Sequence, residues 1–517
     1  MVGVVTLPEQ LIEKIKKNIL PVWKVCFFSA LLVGLIAHVY KITNWLPNWD
    51  GLVFRYDAQN MLRLGRWFLA VACAPSSFYD LPFINGLFAI IYHGLGAVCI
   101  CKIFDVQKKV TAVLIGALVA SFPAVTSVMM YNYVADGYAL AFLLSCLAAL
   151  FMTGEKPRFV LGAIFITLSA GIYQAYITVT IMLLILHLII GLFNDDSIKT
   201  ALIKSLKFLL TGGCGMLVYY LVLNILLGVT HSALLDYQGF DNATSLESVD
   251  LFSSLYNVKY SFLGYFFDFS KGLNVFNVTN VIVSVAAVAL YLADIIRKKL
   301  SVSKIILLCV YVAFLPIGAS VLAFINGSVD YHNLMKMGFL VFYLIFILQY
   351  ERTDFKCTKL NSAKLWSILC ISSVIIFNNI IIANVSYHKL NMAYEKSYGI
   401  LVRIADRIEQ TENSENCDSI LVLGSLNESK EYSANLPPDM TGTTDGLILR
   451  ADDEVVGQSV LCSAINDYCS KDYSFISGTK KKELFTKIDV AAMENWPKKN
   501  SIMIVDNTIV IKLGDER

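Results

Sequence analysis

Charge is what this sequence has least of. Only 16% of its 517 residues are Asp, Glu, Lys or Arg, against roughly 25% in a typical globular chain, and so few charges cannot cover the surface of a soluble fold. With 56% hydrophobic residues and a mean hydropathy of +0.62, disordered, collagen-like and coiled-coil classes are excluded as well. The formal net charge of +2 is too small to point to nucleic acid or to a polybasic membrane patch. Twelve Cys and six His supply no CxxC pair and no cluster at zinc spacing, so no metal site is expected. A P-loop, a GxGxxG after a strand and an HExxH are also missing. No cofactor is expected; a divalent cation is left open.

What is present is apolar length. A membrane-spanning helix needs about 20 apolar residues, and eleven runs qualify or nearly so, at 22–40, 82–101, 110–128, 136–153, 159–173, 176–193, 208–228, 276–296, 305–325, 337–350 and 365–387. The runs at 159–173 and 337–350 are short. The expected fold class is therefore a polytopic α-helical membrane protein of about eleven spans. No small-x-small cleavage site follows the first run before Tyr40 and Lys41, so it reads as a retained signal anchor. Residues 1–21 contain a lysine-bearing amphipathic stretch at 7–20, either an interfacial cytoplasmic helix or an extension of the first span.

Lys and Arg fill alternate loops, from Lys14, Lys16 and Lys17 through Lys108 and Lys109 to Arg352 and Lys356, while Asp and Glu fill the others. By the positive-inside rule the N-terminus is cytoplasmic and the hydrophilic region 388–517 lies outside. The spans lack the mid-membrane ionisable residues and paired broken helices that mark transporters. GGCG at 212–215 reads as a site of close helix packing.

The outer loops differ in content. The first, 41–81, is aromatic, with Trp45, Trp49, Trp67 and Phe68, and residues 56–71 are expected to form a helix along the membrane surface. It also carries Asp50, Asp57, Arg55, Arg63 and Arg66. Arginines on the translocated side run against the orientation rule, and Arg pairs bidentately with phosphate; pairing with the loop's own aspartates is the competing explanation. Asp136 opens a span, either as a helix N-cap, the favoured reading, or as part of a polar site. GIYQAY at 171–176 offers Tyr173, Gln174 and Tyr176 as sugar-contacting or belt residues. The loop 229–275 is long and without clear structure, which points to function or mobility. Residues 326–336 bring Asp330, His332 and Lys336 to the outer face, His332 as a sugar contact or a local hydrogen-bond partner, Lys336 as a second phosphate contact.

Asp50 with Arg55, then Gly65-Arg66-Trp67, resembles the first-loop pattern of the type II O-antigen glucosyltransferase family, the bacterial serotype-converting enzymes. YQAY at 173–176, the stretch 391–410 and SILVLG at 419–424 resemble later parts of it. The sequence departs from the pattern in having one Asp before Gly51 and Trp67 where Pro is common. The resemblance implies a GT-C type architecture over 22–387 in the bacterial inner membrane, with an active centre at the periplasmic surface. It implies glucose donated by a polyprenyl phosphate such as undecaprenyl phosphate, an O-antigen repeat unit as acceptor, and inversion at the anomeric carbon. It also implies a small polyprenyl-phosphate glucosyltransferase and a flippase as pathway partners. In such a reaction one base takes the acceptor proton: Asp50, with Asp57 as runner-up. Arg55, Arg66 and Lys336 are candidates for the donor phosphate, and Trp49 and Trp67 for sugar or prenyl contacts. A GT-C transferase for teichoic acid or wall polysaccharide, and a lipid-linked sugar flippase, are the alternatives.

Residues 388–410 read as a helix leaving the membrane. SILVLGSL, DGLILRA and SIMIVDNTIVIKLG read as strands of a small α/β domain, with a turn at Asp506-Asn507. Cys462 and Cys469 are near enough in sequence to bridge, leaving Cys417; three free thiols is the alternative.

Overall fold

The computed structural model describes the whole chain except residues 1–7, 49, 52–53, 55–57, 195, 236–249, 271, 327–328, 330, 355–357, 425, 427–456, 477 and 516–517. Among the described residues ten helices are long and apolar enough to cross a membrane: Pro21–Thr43, Pro82–Ile103, Lys109–Met130, Asn132–Thr153, Gln174–Phe193, Ile198–Val229, Val275–Lys298, Val302–Ala319, Asn333–Glu351 and Lys359–Glu409. Phe159–Ile172 is apolar but has only 14 residues. The architecture is that of a polytopic helical membrane protein with a small α/β region at its C-terminal end.

Prolines set several boundaries. Pro21, Pro82 and Pro123 each begin a helix, where a missing N–H costs nothing. Pro123 also splits the run 110–128 into Lys109–Ser121 and Pro123–Met130 with Phe122 extended between them, because proline cannot continue the preceding ladder. The amphipathic stretch near the N-terminus is its own helix, Pro8–Asn18, ending before Pro21; it is not an extension of the first span.

Side-chain contacts sort the connections into two ends of the bundle. At one end Lys108 donates from its ammonium to the carbonyls of Tyr350 and Thr353, Lys298 to that of Phe193 (2.5 Å), and Asp294 meets Arg297 and Arg352. The other end gathers the described residues of 44–81, 131–138, 173–176, 219–235 and 331–336, and holds the candidate site. In GGCG only Gly215 is packed, since a Cβ there would meet Ile166 at 2.9 Å, while Gly212 and Gly213 face open space.

The described residues of 229–275 include a regular helix, where the sequence shows a loop without clear structure. Asp250 caps a 17-residue helix, Leu251–Phe267, accepting from the Ser253 N–H at 3.0 Å. Ser254, Val258, Ser261, Tyr265 and Phe266 are buried while Phe252, Tyr256 and Tyr260 are exposed, the one-sided burial of an amphipathic helix. The cap and the spacing were both readable in the sequence.

Lys359–Glu409 is one continuous 51-residue helix, about 77 Å at 1.5 Å per residue, so it runs well past the roughly 30 Å of a bilayer core. Its distal residues Leu401, Ile404 and Ile408 pack on Ile420, Val422, Ile509 and Ile511. Those belong to a sheet of β1 (Ser419–Leu423), β2 (Ser474–Phe475), β3 (Ile502–Val505) and β4 (Thr508–Lys512), in the order β2-β1-β4-β3. The other face, with Leu421, Leu423 and Val510, packs on Ile476, Leu484 and Ile488. β1 and β4 are parallel; β3 and β4 form an antiparallel hairpin. Its turn is Asp506-Asn507, both at positive φ (47° and 57°), as a two-residue hairpin loop requires. The expected strand DGLILRA lies outside the described residues.

Cys417, Cys462 and Cys469 are free thiols. Cys462 and Cys469 lie on one helix, Gly457–Cys469, where seven residues of rise is about 10 Å. A disulfide tolerates no more than about 7 Å between Cα atoms.

Candidate active site

The site is built on a turn rather than on the surface helix expected for 56–71. Residues Leu62–Leu64 form one turn of 3-10 helix, Gly65 follows at φ 74°, and Met61 and Arg66 bridge as antiparallel partners. A left-handed glycine ends a helix, and here it reverses the chain so that Arg66 returns beside Met61.

Three consecutive carbonyls of this turn are captured by distant parts of the chain. The Leu235 N–H donates to the Arg63 carbonyl at 3.0 Å, Gln174 Nε2 to that of Leu64 at 3.1 Å, and Tyr219 Oη to that of Gly65 at 3.0 Å. Gln174 also donates to Tyr219 Oη at 2.9 Å. Arg63 Nε donates to the Ala233 carbonyl. The Phe68 N–H reaches the Gly171 carbonyl at 2.8 Å, and Trp67 lies over Gly171, where a Cβ would come within 2.7 Å of the indole.

The clamped turn delivers Arg66 to an aromatic nest. Its guanidinium lies 4.5 Å from the ring centre of Tyr173 and donates to Tyr138 Oη at 2.9 Å. The rings of Tyr138 and Tyr173 stack 4.7 Å apart. Such contacts hold the cation by its face while its N–H groups stay in the guanidinium plane.

Asp50, in the same loop, is half-buried. Burial raises its pKa above the ordinary carboxylate value, and Arg66 is the cation that opposes the rise. The segment around Asp50 is anchored by Asp80, to which the sequence reading gave no role. Asp80 accepts from Trp45 Nε1 at 3.0 Å and from Asn132 Nδ2 at 2.5 Å, and its carboxylate lies beside Gly51. Its charge also acts on Lys41, a buried lysine that donates to the Leu46 carbonyl at 2.6 Å. Tyr133, next to Asn132, stacks on Phe54 with ring centres 5.5 Å apart.

The other expected residues are placed as follows. Asp136 is not an N-cap: it sits in the first turn of Ala135–Thr153, with Val134 at the cap position. It is 1% exposed and accepts from Asn85 Nδ2 at 3.2 Å, which also donates to Ser76. Gln174 is buried with its amide turned to the Leu64 carbonyl, and Tyr176 is enclosed. Trp67 is half-buried in a cluster with Tyr219 and Leu223. His332 precedes the 3-10 helix Asn333–Phe339, its carbonyl accepting from the Met335 N–H. Lys336 lies over the rings of Tyr265 and Tyr331 at 5.4 and 5.9 Å, an aromatic pair separate from that of Arg66. Trp49, Arg55, Asp57 and Asp330 lie outside the described residues. Among the described residues no group of three or more His, Cys, Asp or Glu is placed to hold a metal ion.

Ionisable side chains do occur within the spans, contrary to the sequence reading. His38 bonds Tyr387 Oη (2.7 Å) and the Ala120 carbonyl (2.9 Å), and His93 bonds the Ala89 carbonyl (2.7 Å). His38 is bonded through both ring nitrogens, whereas His93 is bonded through Nδ1 and its Nε2 is buried without a hydrogen-bond partner among the described residues.

Comparison with known proteins bears on this arrangement directly. The profile of the glucosyl transferase GtrII family matches residues 39–349, more than half of the chain. The chain belongs to the glucosyl transferase GtrII family. Neither a curated protein nor a solved structure matches. The GtrII match takes in the Asp50 and Arg66 loop, the Tyr173–Tyr176 turn and Lys336, so the similarity expected in the first loop and at YQAY falls within it. The stretches 391–410 and 419–424 lie beyond the matched residues. Membership of GtrII makes the protein a glycosyltransferase, and it gives the anchored Asp and Arg on one loop a chemical context.

Proposed function

We propose that this GtrII protein transfers glucose from a polyprenyl-phosphate-linked donor, undecaprenyl phosphate glucose, to a repeat-unit sugar of bacterial O-antigen. The reaction inverts the anomeric centre and modifies the lipopolysaccharide serotype. The observation that carries this reading is the first loop, which lies inside the residues matched by the family, holds the half-buried carboxylate of Asp50 and presents the Arg66 guanidinium on the Tyr173 ring.

In the proposed step Asp50 takes the proton of the acceptor hydroxyl as that oxygen attacks the anomeric carbon. The bond from the anomeric carbon to the phosphate oxygen breaks on the opposite side, and its electron pair leaves with the lipid phosphate. A phosphate monoester anion needs no proton to leave if a cation neutralises it; Arg66 fills that role, with Arg55 and Lys336 as further cations. Asp57 is the runner-up base. Trp49 and Trp67 are the candidates for sugar or prenyl contacts; the rings of Tyr138 and Tyr173 are buried against each other and against Arg66. The Asp50 end is proposed to face the periplasm from the bacterial inner membrane, with the N-terminus cytoplasmic and the C-terminal region periplasmic. That region is proposed to lie over the site and contribute to acceptor binding, since Trp45 of the first loop packs on Tyr394 of the long helix.

Purified full-length protein, supplied with polyprenyl-phosphoglucose and isolated O-antigen, should yield a glucosylated polymer with the anomer opposite to the donor's on linkage analysis. Retention of the donor anomer would overturn the inverting mechanism. Transfer to teichoic acid but not to O-antigen would overturn the acceptor.

A further inference from the structure

We infer that Gln174 and Tyr219 act as a positioning pair for the donor-phosphate contact, setting the Gly65-Arg66 turn rather than touching sugar. The inference rests on the role of Arg66 in donor binding given above.

The geometry is specific to positioning. Gln174 is 8% and Tyr219 5% exposed, and each donates to a backbone carbonyl of the turn. One N–H direction of the Gln174 amide reaches the Leu64 carbonyl and the other the Tyr219 hydroxyl; that hydroxyl, having accepted, donates its own proton to the Gly65 carbonyl. The chain of bonds is polarised in one sense, and each link strengthens the next. Its two termini are adjacent carbonyls at the point where φ turns positive. The turn's own backbone bonds, from the Leu64 and Arg66 N–H groups to the Met61 carbonyl and from the Gly65 N–H to the Leu62 carbonyl, fix its shape. Its placement against the helices is decided by what holds its outward carbonyls, those of Leu64 and Gly65. Arg66 is the next residue. A rotation of the 64–65 peptides would carry its guanidinium off the Tyr173 face.

The same motif supplies both halves of the arrangement. Tyr173 forms the platform for Arg66, and its neighbour Gln174 holds the backbone that presents Arg66. That gives a physical reason for a Tyr-Gln pair at the turn, which a sugar-contacting role for Gln174 does not, because its amide nitrogen is already engaged.

The test uses full-length enzyme in detergent or nanodiscs with polyprenyl-phosphoglucose. Tyr219→Phe keeps the ring and removes only the hydroxyl; Gln174→Met keeps length and removes the amide. Each should raise the KM for donor by roughly three- to tenfold, the scale of a lost hydrogen bond. kcat should fall by a comparable factor, because the same cation stabilises the leaving phosphate, while the KM for acceptor should stay within about twofold. The double variant should be little worse than the stronger single one, because both act on one turn. Thermal unfolding midpoints near wild type keep a folding defect out of the comparison. Arg66→Ala is the third arm. If it raises donor KM while Tyr219→Phe and Gln174→Met leave it unchanged, the positioning role is overturned and Arg66 keeps its own. If Arg66→Ala leaves both donor KM and kcat unchanged, the phosphate reading itself fails. A changed preference between glucosyl and galactosyl donors in Gln174→Met would overturn the inference in favour of direct sugar contact.

Discussion

The carboxylate of Asp80 accepts the indole N–H of Trp45 at 3.0 Å and, through its other oxygen, the amide of Asn132 at 2.5 Å. It thereby ties the start of the first loop to the helix that begins at Asn132, beside the backbone that bears Asp50. Trp45 in turn packs edge-on against Tyr394, ring centres 6.4 Å apart, so the loop is also tied to the long C-terminal helix.

Replacing Asp80 by Ala leaves two donors and the buried Lys41 without their carboxylate. A loss of about 2–3 kcal/mol in stability is expected. Transfer activity should fall more than tenfold, because the Asp50 segment loses its anchor. Thermal unfolding and initial rates on the same preparation check both.

Asp50→Asn removes the proposed base with little change of shape. Activity should fall by roughly 10²- to 10⁴-fold, the range general-base catalysis contributes, with expression and unfolding midpoint unchanged. A transfer rate near wild type in a purified assay would remove Asp50 from the chemistry.

The pH profile has a defined sign. Burial raises the Asp50 pKa and Arg66 lowers it, and the base works only when ionised. Activity should therefore be lost as pH falls through a value above the usual carboxylate range. Arg66→Gln, by removing the opposing charge, should move that acid limb of kcat/KM further up. A limb that stays put or moves down in the variant would contradict the pairing.

Gly171→Val should displace Trp67. A Cβ at 171 would already lie 2.7 Å from the indole, and the larger side chain forces the ring and the Phe68–Gly171 hydrogen bond apart. Overpacking of this kind costs about 1–3 kcal/mol. A lowered unfolding midpoint and weaker donor use are the expected readouts.

The thiols of the C-terminal region should be separately reactive. Cys469 is partly exposed, while Cys462 is buried, bonded to the Tyr473 carbonyl and pushed up to about 11 by burial. A maleimide should therefore label Cys417 and Cys469 before Cys462 in the native protein, and mass under non-reducing conditions should show no Cys462–Cys469 bridge.

Local signals carried far into this molecule. The β3–β4 hairpin was legible because Asp-Asn tolerates positive φ, and the apolar runs were legible because length and hydropathy alone decide whether a helix can cross a bilayer. The Leu251–Phe267 helix was not read from the sequence, although Asp250 caps it and its buried residues recur at helical spacing. The 56–71 helix failed for a different reason. Its composition suits a helix, yet Gly65 breaks it, and the turn that replaces it is stabilised by partners the local sequence does not contain. Asp136 looked like a cap because caps are common at helix starts; only packing shows that Asn85 and Ser76 surround it.

By itself the sequence determined the membrane class, the approximate placement of the helices, the family and the loop that bears Asp50 and Arg66. These depend on composition and on patterns a few residues long. Tertiary structure alone decided how the two residues are held. The hydroxyl that fixes the Gly65 carbonyl comes from 154 residues away, and the amide that fixes Leu64 from 110. No periodicity or propensity encodes a hydrogen bond across such a separation. It exists because helix packing brings the outer turns of several helices to one end, where the carbonyls of an irregular turn must find donors.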